Sequence, residues 1–353
     1  MSRSLWPWLR TLCAVAILAA LAWRLGTDAF LAGVRRVTVP ALLAALGIGA
    51  FTTVLSAWRW CLVARRIGLP LRLPAAIADY YRSLFLNATL PAGVLGDAHR
   101  AVAHGRSAGD VGRAVRAVVL ERTAGQIVLF AAAAAVLAAA PASPAAVLAR
   151  TLLPGPAAAA ALAAAAILAG LAVVLVARSR RRGRIARSLA RTLADLRAGL
   201  LARDTWPGVL GLSAAVLAGH VTLFLVAART AGVSAPAGTL VPLLLLALLV
   251  MGLPVNVGGF GPREAFTAVA FGAAGLGAGQ GLAVSVVYGV LAFAASLPGA
   301  AVLVLRRGAR PAAATGSAPV PPAAASAAEH LEDLGERRDE VVDHVPSLPR
   351  RGA

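Results

Sequence analysis

Apolar runs dominate this chain, and their lengths sort into two groups. Crossing about 30 Å of hydrocarbon takes about 20 helical residues. Six runs meet that need, at roughly 8–24, 40–63, 115–140, 156–177, 206–228 and 281–305. Three more, near 77–95, 238–253 and 264–278, are shorter or end at Gly and Pro. The pattern predicts an all-α fold: a polytopic integral membrane helical bundle with about six full spans and two broken or re-entrant hairpins. Trp6, Trp8, Trp23, Trp58, Trp60 and Trp206 fall at or near the ends of these runs. Indoles favour the headgroup layer, so all six are expected to be interfacial anchors.

Composition agrees. Of 353 residues, 59% are apolar and 14% charged. Soluble domains have about 45–50% and about 25%. Too little polar sequence remains to cover a soluble core of this size. The net charge is +19, from 34 basic residues, all arginine, and 15 acids. Beside such long apolar runs this excess reads as a cytosolic membrane face, not as a nucleic-acid surface. With the N-terminus inside, 21 arginines fall on cytosolic segments and five (Arg24, Arg35, Arg36, Arg150, Arg229) on outer loops. That bias predicts a multi-pass protein of the cytoplasmic membrane with both termini cytosolic. Met1–Trp23 also has the basic start and Ala20-Leu21-Ala22 ending of a cleavable signal peptide. The similar runs that follow favour an uncleaved anchor. Cys13 and Cys61 both lie in apolar runs, which excludes a disulfide framework and a cysteine-rich zinc site. No metal and no cofactor is expected.

Residues 1–308 form the expected transmembrane domain. Within it, 178–205 is arginine-rich; Ile185, Leu189, Leu193, Leu196 and Leu200 recur at helical spacing. An amphipathic helix or loop held on anionic inner-leaflet lipids fits this pattern, as does a plain topogenic loop. Residues 309–353 begin Pro/Ala/Ser-rich and end with seven of the fifteen acids, and read as a disordered cytosolic tail.

Chemistry concentrates where the apolar pattern breaks. The stretch from Leu90-Pro91 through Val94 and Gly96-Asp97 to His99-Arg100 aligns without gaps on Leu253-Pro254 through Val257-Gly258-Gly259 and Gly261 to Pro262-Arg263. Pro ends or kinks a helix and Gly relaxes the backbone. Freed backbone groups cannot face lipid, so each break belongs in protein or a watery cavity. Pro91, Gly96, Pro254, Gly258, Gly259 and Gly261 are the expected helix-break residues. The arginine-derived topology brings one break in from each side of the membrane, the arrangement of an inverted repeat with a substrate site between its halves.

Outside the tail only eight acids occur, and three neighbour arginine in or beside apolar sequence: Asp97 near Arg100, Glu121 before Arg122, and Glu264 after Arg263. A lone charge at bilayer depth costs about 2.5–3.5 kcal/mol even on lenient scales. These six are tolerable only if paired or near water. Guanidinium forks grip phosphate, and carboxylates hold the forks in place or contact a cationic group. Asp97, Arg100, Glu121, Arg122, Arg263 and Glu264 are therefore the expected headgroup cavity. Tyr80 and Tyr81 read as interfacial anchors, Asn87 and Asn256 as partners of freed backbone, and His220 as a helix–helix hydrogen-bonding group.

These residues resemble a known family, the integral membrane proteins named for the transmembrane region of lysylphosphatidylglycerol synthase and often called flippase-like. The resemblance rests on Trp58-Arg59-Trp60, Pro91 through Gly96-Asp97 to Arg100, Glu121-Arg122 with Gly125, and Pro254 through Gly258-Gly259-Phe260-Gly261 to Arg263-Glu264. Leu95 departs from it, standing where the family usually has a first Gly. The resemblance implies a polytopic domain that moves or presents a polar lipid. Bifunctional members carry a soluble aminoacyl-transfer domain afterwards; nothing of domain size follows residue 308 here. The expected function is translocation or presentation of a polar, phosphate-bearing membrane lipid. An intramembrane lipid-modifying enzyme using Asp97 or Glu264, and a non-transporting envelope-assembly scaffold, are the alternatives. No catalytic constellation supports the enzyme.

Overall fold

The computed structural model describes residues 34–90, 94–152, 194–196, 199–200, 202–252 and 262–308. Of these, 84% are helical and none is in a strand. Ten helices follow in order: α1 Val39–Arg66, α2 Leu73–Thr89, α3 Leu95–Ser107, α4 Val111–Ala139, α5 Pro144–Leu152, α6 Trp206–Thr230, α7 Ala237–Met251, α8 Pro262–Ala273, α9 Ala278–Ser296 and α10 Pro298–Gly308. The chain divides into units Met1–Val304 and Leu305–Ala353.

Four described segments are long and apolar enough to cross a membrane: α1, α4, α6 and Ala278–Leu305, the last joining α9 to α10. They coincide with the runs expected at 40–63, 115–140, 206–228 and 281–305. The spans expected at 8–24 and 156–177 lie outside the described residues, as do most of the arginine-rich segment and the tail. The end of that segment is described. Asp195 accepts from Arg116, and Leu196 and Leu200 pack on the protein beside Val63, Leu120 and Val209.

Local chemistry sets the helix ends. Thr38 caps α1, its Oγ1 accepting from the Ala41 amide, and Pro40 stands in the first turn, where a missing N–H costs nothing. The same helix closes at Gly68, whose φ of 79° lets the Leu69 amide turn back onto the Ala64 carbonyl. Asp110 caps α4 through the Arg113 amide at 2.8 Å. That hydrogen bond, with the nearby Arg113 and Arg116 charges, holds the Asp110 carboxyl below its ordinary range.

α1 and α6 form the most extensive helix pair. They run antiparallel: Arg66 pairs with Asp204 before α6 begins, and Arg36, just before α1, donates to the Ala231 carbonyl just after α6 ends. At mid-length a Cβ on Gly219 would run into Thr52, so a small residue there sets the helix separation. Apolar packing falls into two main groups along the spans. One joins the Val39 end of α1 to α6, α7, α8 and α9; the other joins its Arg66 end to α2, α3 and the start of α4.

The short helices pack in two pairs, α2 with α3 and α7 with α8. None exceeds 17 residues, which is about 26 Å at 1.5 Å per residue, short of a full crossing. Pro91 lies between the first two and Pro254, Gly258, Gly259 and Gly261 between the second two, all outside the described residues. Gly96 is not in the break: it is the second residue of α3 and has no left-handed φ. Its requirement is contact, because a Cβ there would strike the Ser83 carbonyl of α2.

Gly96→Ala is expected to lower thermal stability in detergent by about 1–3 kcal/mol through overpacking. Gly211→Ala, where added atoms meet open space, should not. Asp110→Ala should cost about 1 kcal/mol at neutral pH. Because the native carboxyl titrates below its unfolded value of about 3.9, that contribution is present above pH 4 and lost as pH falls through the native value. Melting curves of variant and parent should therefore converge in acid.

Candidate functional site

Arg59, Arg100, Arg122, Asp97 and Glu121 form one network. Glu121, in α4, has no solvent exposure. Its Oε1 accepts from Arg59 Nε (3.0 Å) and Nη2 and from the Tyr80 hydroxyl (3.3 Å); its Oε2 accepts from Arg100 Nη2 at 2.8 Å. Asp97, in the first turn of α3, accepts from Arg100 Nε (2.9 Å), Arg122 Nη2 (2.8 Å), Ser83 Oγ (3.0 Å) and Asn87 Nδ2 (3.1 Å). Asn87 also accepts the Gly96 amide at 2.7 Å, so one side chain ties both helices of the first pair together. Arg100 is held between aromatic rings, its guanidinium carbon 4.6 Å from the Trp60 centroid and 4.4 Å from that of Tyr80.

The second pair repeats the motif on a smaller scale. Glu264, in the first turn of α8, accepts from Arg263 Nε (3.0 Å) and Nη2 (2.5 Å) and from Ser285 Oγ of α9 (2.9 Å). Arg263 lies over Tyr288, 5.1 Å from its centroid, and Tyr288 stacks on Phe224 at 4.2 Å. Each short-helix pair thus enters its second helix with an acid in the first turn, where the helix dipole favours negative charge.

Between these centres lies a cavity of about 380 Å³. Its polar lining includes Thr53, Ser56 and Arg59 of α1, Tyr80 and Asn87 of α2, Arg122 and Gln126 of α4, Ser213 and His220 of α6, Arg263 of α8 and Tyr288 of α9. On α1, α4 and α6 these positions fall in the middle part of the helix, well away from both ends, so the chamber sits along the spans and not at their ends. Arg122 is the most open of its arginines, with 42% of its side chain accessible against 5% for Arg59 and 3% for Arg263.

Of the six residues expected to line a headgroup cavity, Arg122 and Arg263 do so. Asp97, Glu121 and Glu264 stand behind the lining as partners of its arginines. Arg100 is fully buried and bridges Asp97 to Glu121. Trp60, expected at the interface, is also fully buried, because it supplies a face to Arg100; Trp58 and Trp206 do stay exposed. Arg59 lines the chamber too, a residue that belongs to the family resemblance but not to the expected cavity. Its signal was an arginine inside a long apolar run, costly unless partnered. Tyr80, expected as an interfacial anchor, is instead buried, because its hydroxyl donates to Glu121 and its ring faces Arg100; Ser213 and Ser285 carried no signal in the sequence. Among the described residues no group of three or more His, Cys, Asp or Glu is arranged to hold a metal.

Long apolar helices around buried ion pairs and a chamber edged by arginine define a multi-pass helical membrane protein. Its family follows from comparison with known proteins. The family described as lysylphosphatidylglycerol synthase TM region matches residues 8–299, and the chain belongs to it. That places it among membrane proteins related to lipid handling. No curated protein and no solved structure matches the chain.

Removing one partner of a buried ion pair leaves an uncompensated charge and costs about 3–5 kcal/mol. Glu121→Ala strands Arg59 and leaves Arg100 with Asp97 alone, and is expected to lose stability on that scale in a detergent melt. Asp204→Ala, which removes an exposed pair with Arg66 and a long contact from the Thr205 hydroxyl, should shift the same melt by about 1 kcal/mol or less.

Proposed function

We propose that this protein moves, or presents, a polar phosphate-bearing lipid across the cytoplasmic membrane. The observation that carries this reading is the convergence of Arg59, Arg122 and Arg263 on one chamber within the spans. The guanidiniums grip the headgroup phosphate in their planar, forked geometry. The acyl tails stay in the surrounding lipid, so the chamber need hold only the headgroup.

In this reading the bundle has six full spans, and the two short-helix pairs enter from opposite faces as an inverted repeat. Their alternate rocking around the chamber exposes the headgroup to each leaflet in turn. The end of the bundle bearing Arg66, Arg113 and Arg116 is cytosolic, and both termini lie there. The arginine-rich 178–203 segment rests on anionic inner-leaflet lipid. The protein acts as a carrier, not as an enzyme.

Reconstituted into vesicles, the protein should accelerate transbilayer movement of a labelled phospholipid over protein-free vesicles. Arg263→Ala should abolish the gain, and Arg263→Lys should restore part of it, since lysine keeps the charge without the fork. Rates equal to protein-free vesicles overturn the proposal.

A further inference from the structure

At the other end of α3 from Asp97, His104 is buried, with 7% of it exposed. Its imidazole meets the Trp60 ring edge-on, with centroids 5.6 Å apart and planes 76° apart. Arg100, one helical turn back, lies over the same indole at 4.6 Å. Three buried polar atoms of this group, His104 Nε2, Trp60 Nε1 and Arg100 Nη1, have no hydrogen-bond partner among the described residues. A buried polar atom left unpaired weakens the packing that holds it. The join to α4 is tight and short. A Cβ on Gly105 would strike the Val111 backbone, and Gly109 turns the chain between the two helices with a φ of 74°.

A neutral imidazole suits this place. An imidazolium would give up its hydration inside the apolar group to which Trp60, Cys61, Ala101 and Ala114 belong, and that cost is high. The indole that could attract it already carries the Arg100 guanidinium. Asp79 of α2 is the carboxylate whose charge reaches His104, and it is paired with Arg82 at 3.0 Å. Other groups on the helices around α3 are directed elsewhere. Arg59, Arg100 and the Tyr80 hydroxyl donate to Glu121, and Arg65 to the Leu71 carbonyl; Arg113 pairs with Asp110, Arg116 with Asp195 and Arg122 with Asp97. On α3 itself His99 and Arg106 are exposed.

We infer that His104 is an acid-sensitive latch: neutral, it seats the end of α3 against Trp60, and proton uptake releases it. The inference does not depend on what the chamber carries. Seat and proton exclude each other, because the imidazole gains its charge only where water reaches it. In the released form the ordinary imidazole value of about 6.5 applies. Each pH unit below that value therefore favours release by up to about tenfold, and above it the latch is closed. Release reaches the ion-pair network by two routes. Trp60 loses the imidazole packed on it, and Arg100, which holds Asp97 and Glu121, sits on the helix that moves.

The test follows hydrogen exchange of the 95–107 amides in the full-length chain, in phosphatidylcholine nanodiscs, corrected for the intrinsic rate at each pH. Opening of this helix should be constant from about pH 8 to about pH 7 and rise about tenfold or more by about pH 5. His104→Gln, which takes up no proton, should flatten that profile. His104→Phe keeps a ring against Trp60 and removes the unpaired nitrogen; it should give a flat profile and stronger protection at neutral pH, and it serves if the glutamine variant does not fold. His99→Gln removes an exposed imidazole of the same helix and should keep the parent's rise. A parent profile that stays flat to about pH 5, or a rise that persists in the His104 variants, overturns the latch. A rise lost in His99→Gln overturns the assignment to His104.

Discussion

A carboxylate with no solvent exposure, in a helix otherwise fit for lipid, sets the terms for this structure. Glu121 is stable there only because guanidiniums from two other helices close on it, Arg59 from α1 and Arg100 from α3. Hydrocarbon cannot solvate a lone ion, so the partners must arrive together and stay. The consequence is geometric. Helix α3 is polar, and few of its buried side chains are apolar. It is seated by Arg100, by the Asn87 contact to its first turn and by the close approach at Gly96, more than by area removed from lipid.

That network also decides which arginines are free to do anything else. Arg100 donates to Asp97 and Glu121 and lies between two aromatic faces, so its role is to hold the others. Arg59 divides its donors between Glu121 and Ser213 and shows one edge to the chamber. Arg122 shares Asp97 but stays open. A graded set results, from a wholly structural cation to an accessible one, built from one residue type.

The two short-helix pairs contribute differently to the same space. The first brings Tyr80 and Asn87 and anchors the network. The second brings Arg263, already neutralised by the adjacent Glu264 and steadied by Ser285 and Tyr288. Apolar packing accompanies each pair in its own part of the bundle, and residues of both pairs line the chamber with its arginines. Buried ion pairs set among apolar packing are what a membrane protein needs if water-loving chemistry is to be kept within the spans.

Much of the architecture was legible in the residues. Run length fixed the spans at 40–63, 115–140, 206–228 and 281–305, because hydrocarbon thickness is a length and sequence measures length directly. The Pro/Gly interruptions marked the short-helix pairs, since they act on their own backbone. The cost of lone charge picked out Asp97, Glu121 and Glu264. Partner choice was another matter. Sequence put Arg122 beside Glu121, yet that acid's strongest contacts come from Arg59 and Arg100, 62 and 21 residues away. Trp60 read as an interfacial anchor and became a wall for Arg100. Gly96 read as a hinge and became a contact point. These are decisions about which side chains meet across helices, and only packing in three dimensions makes them.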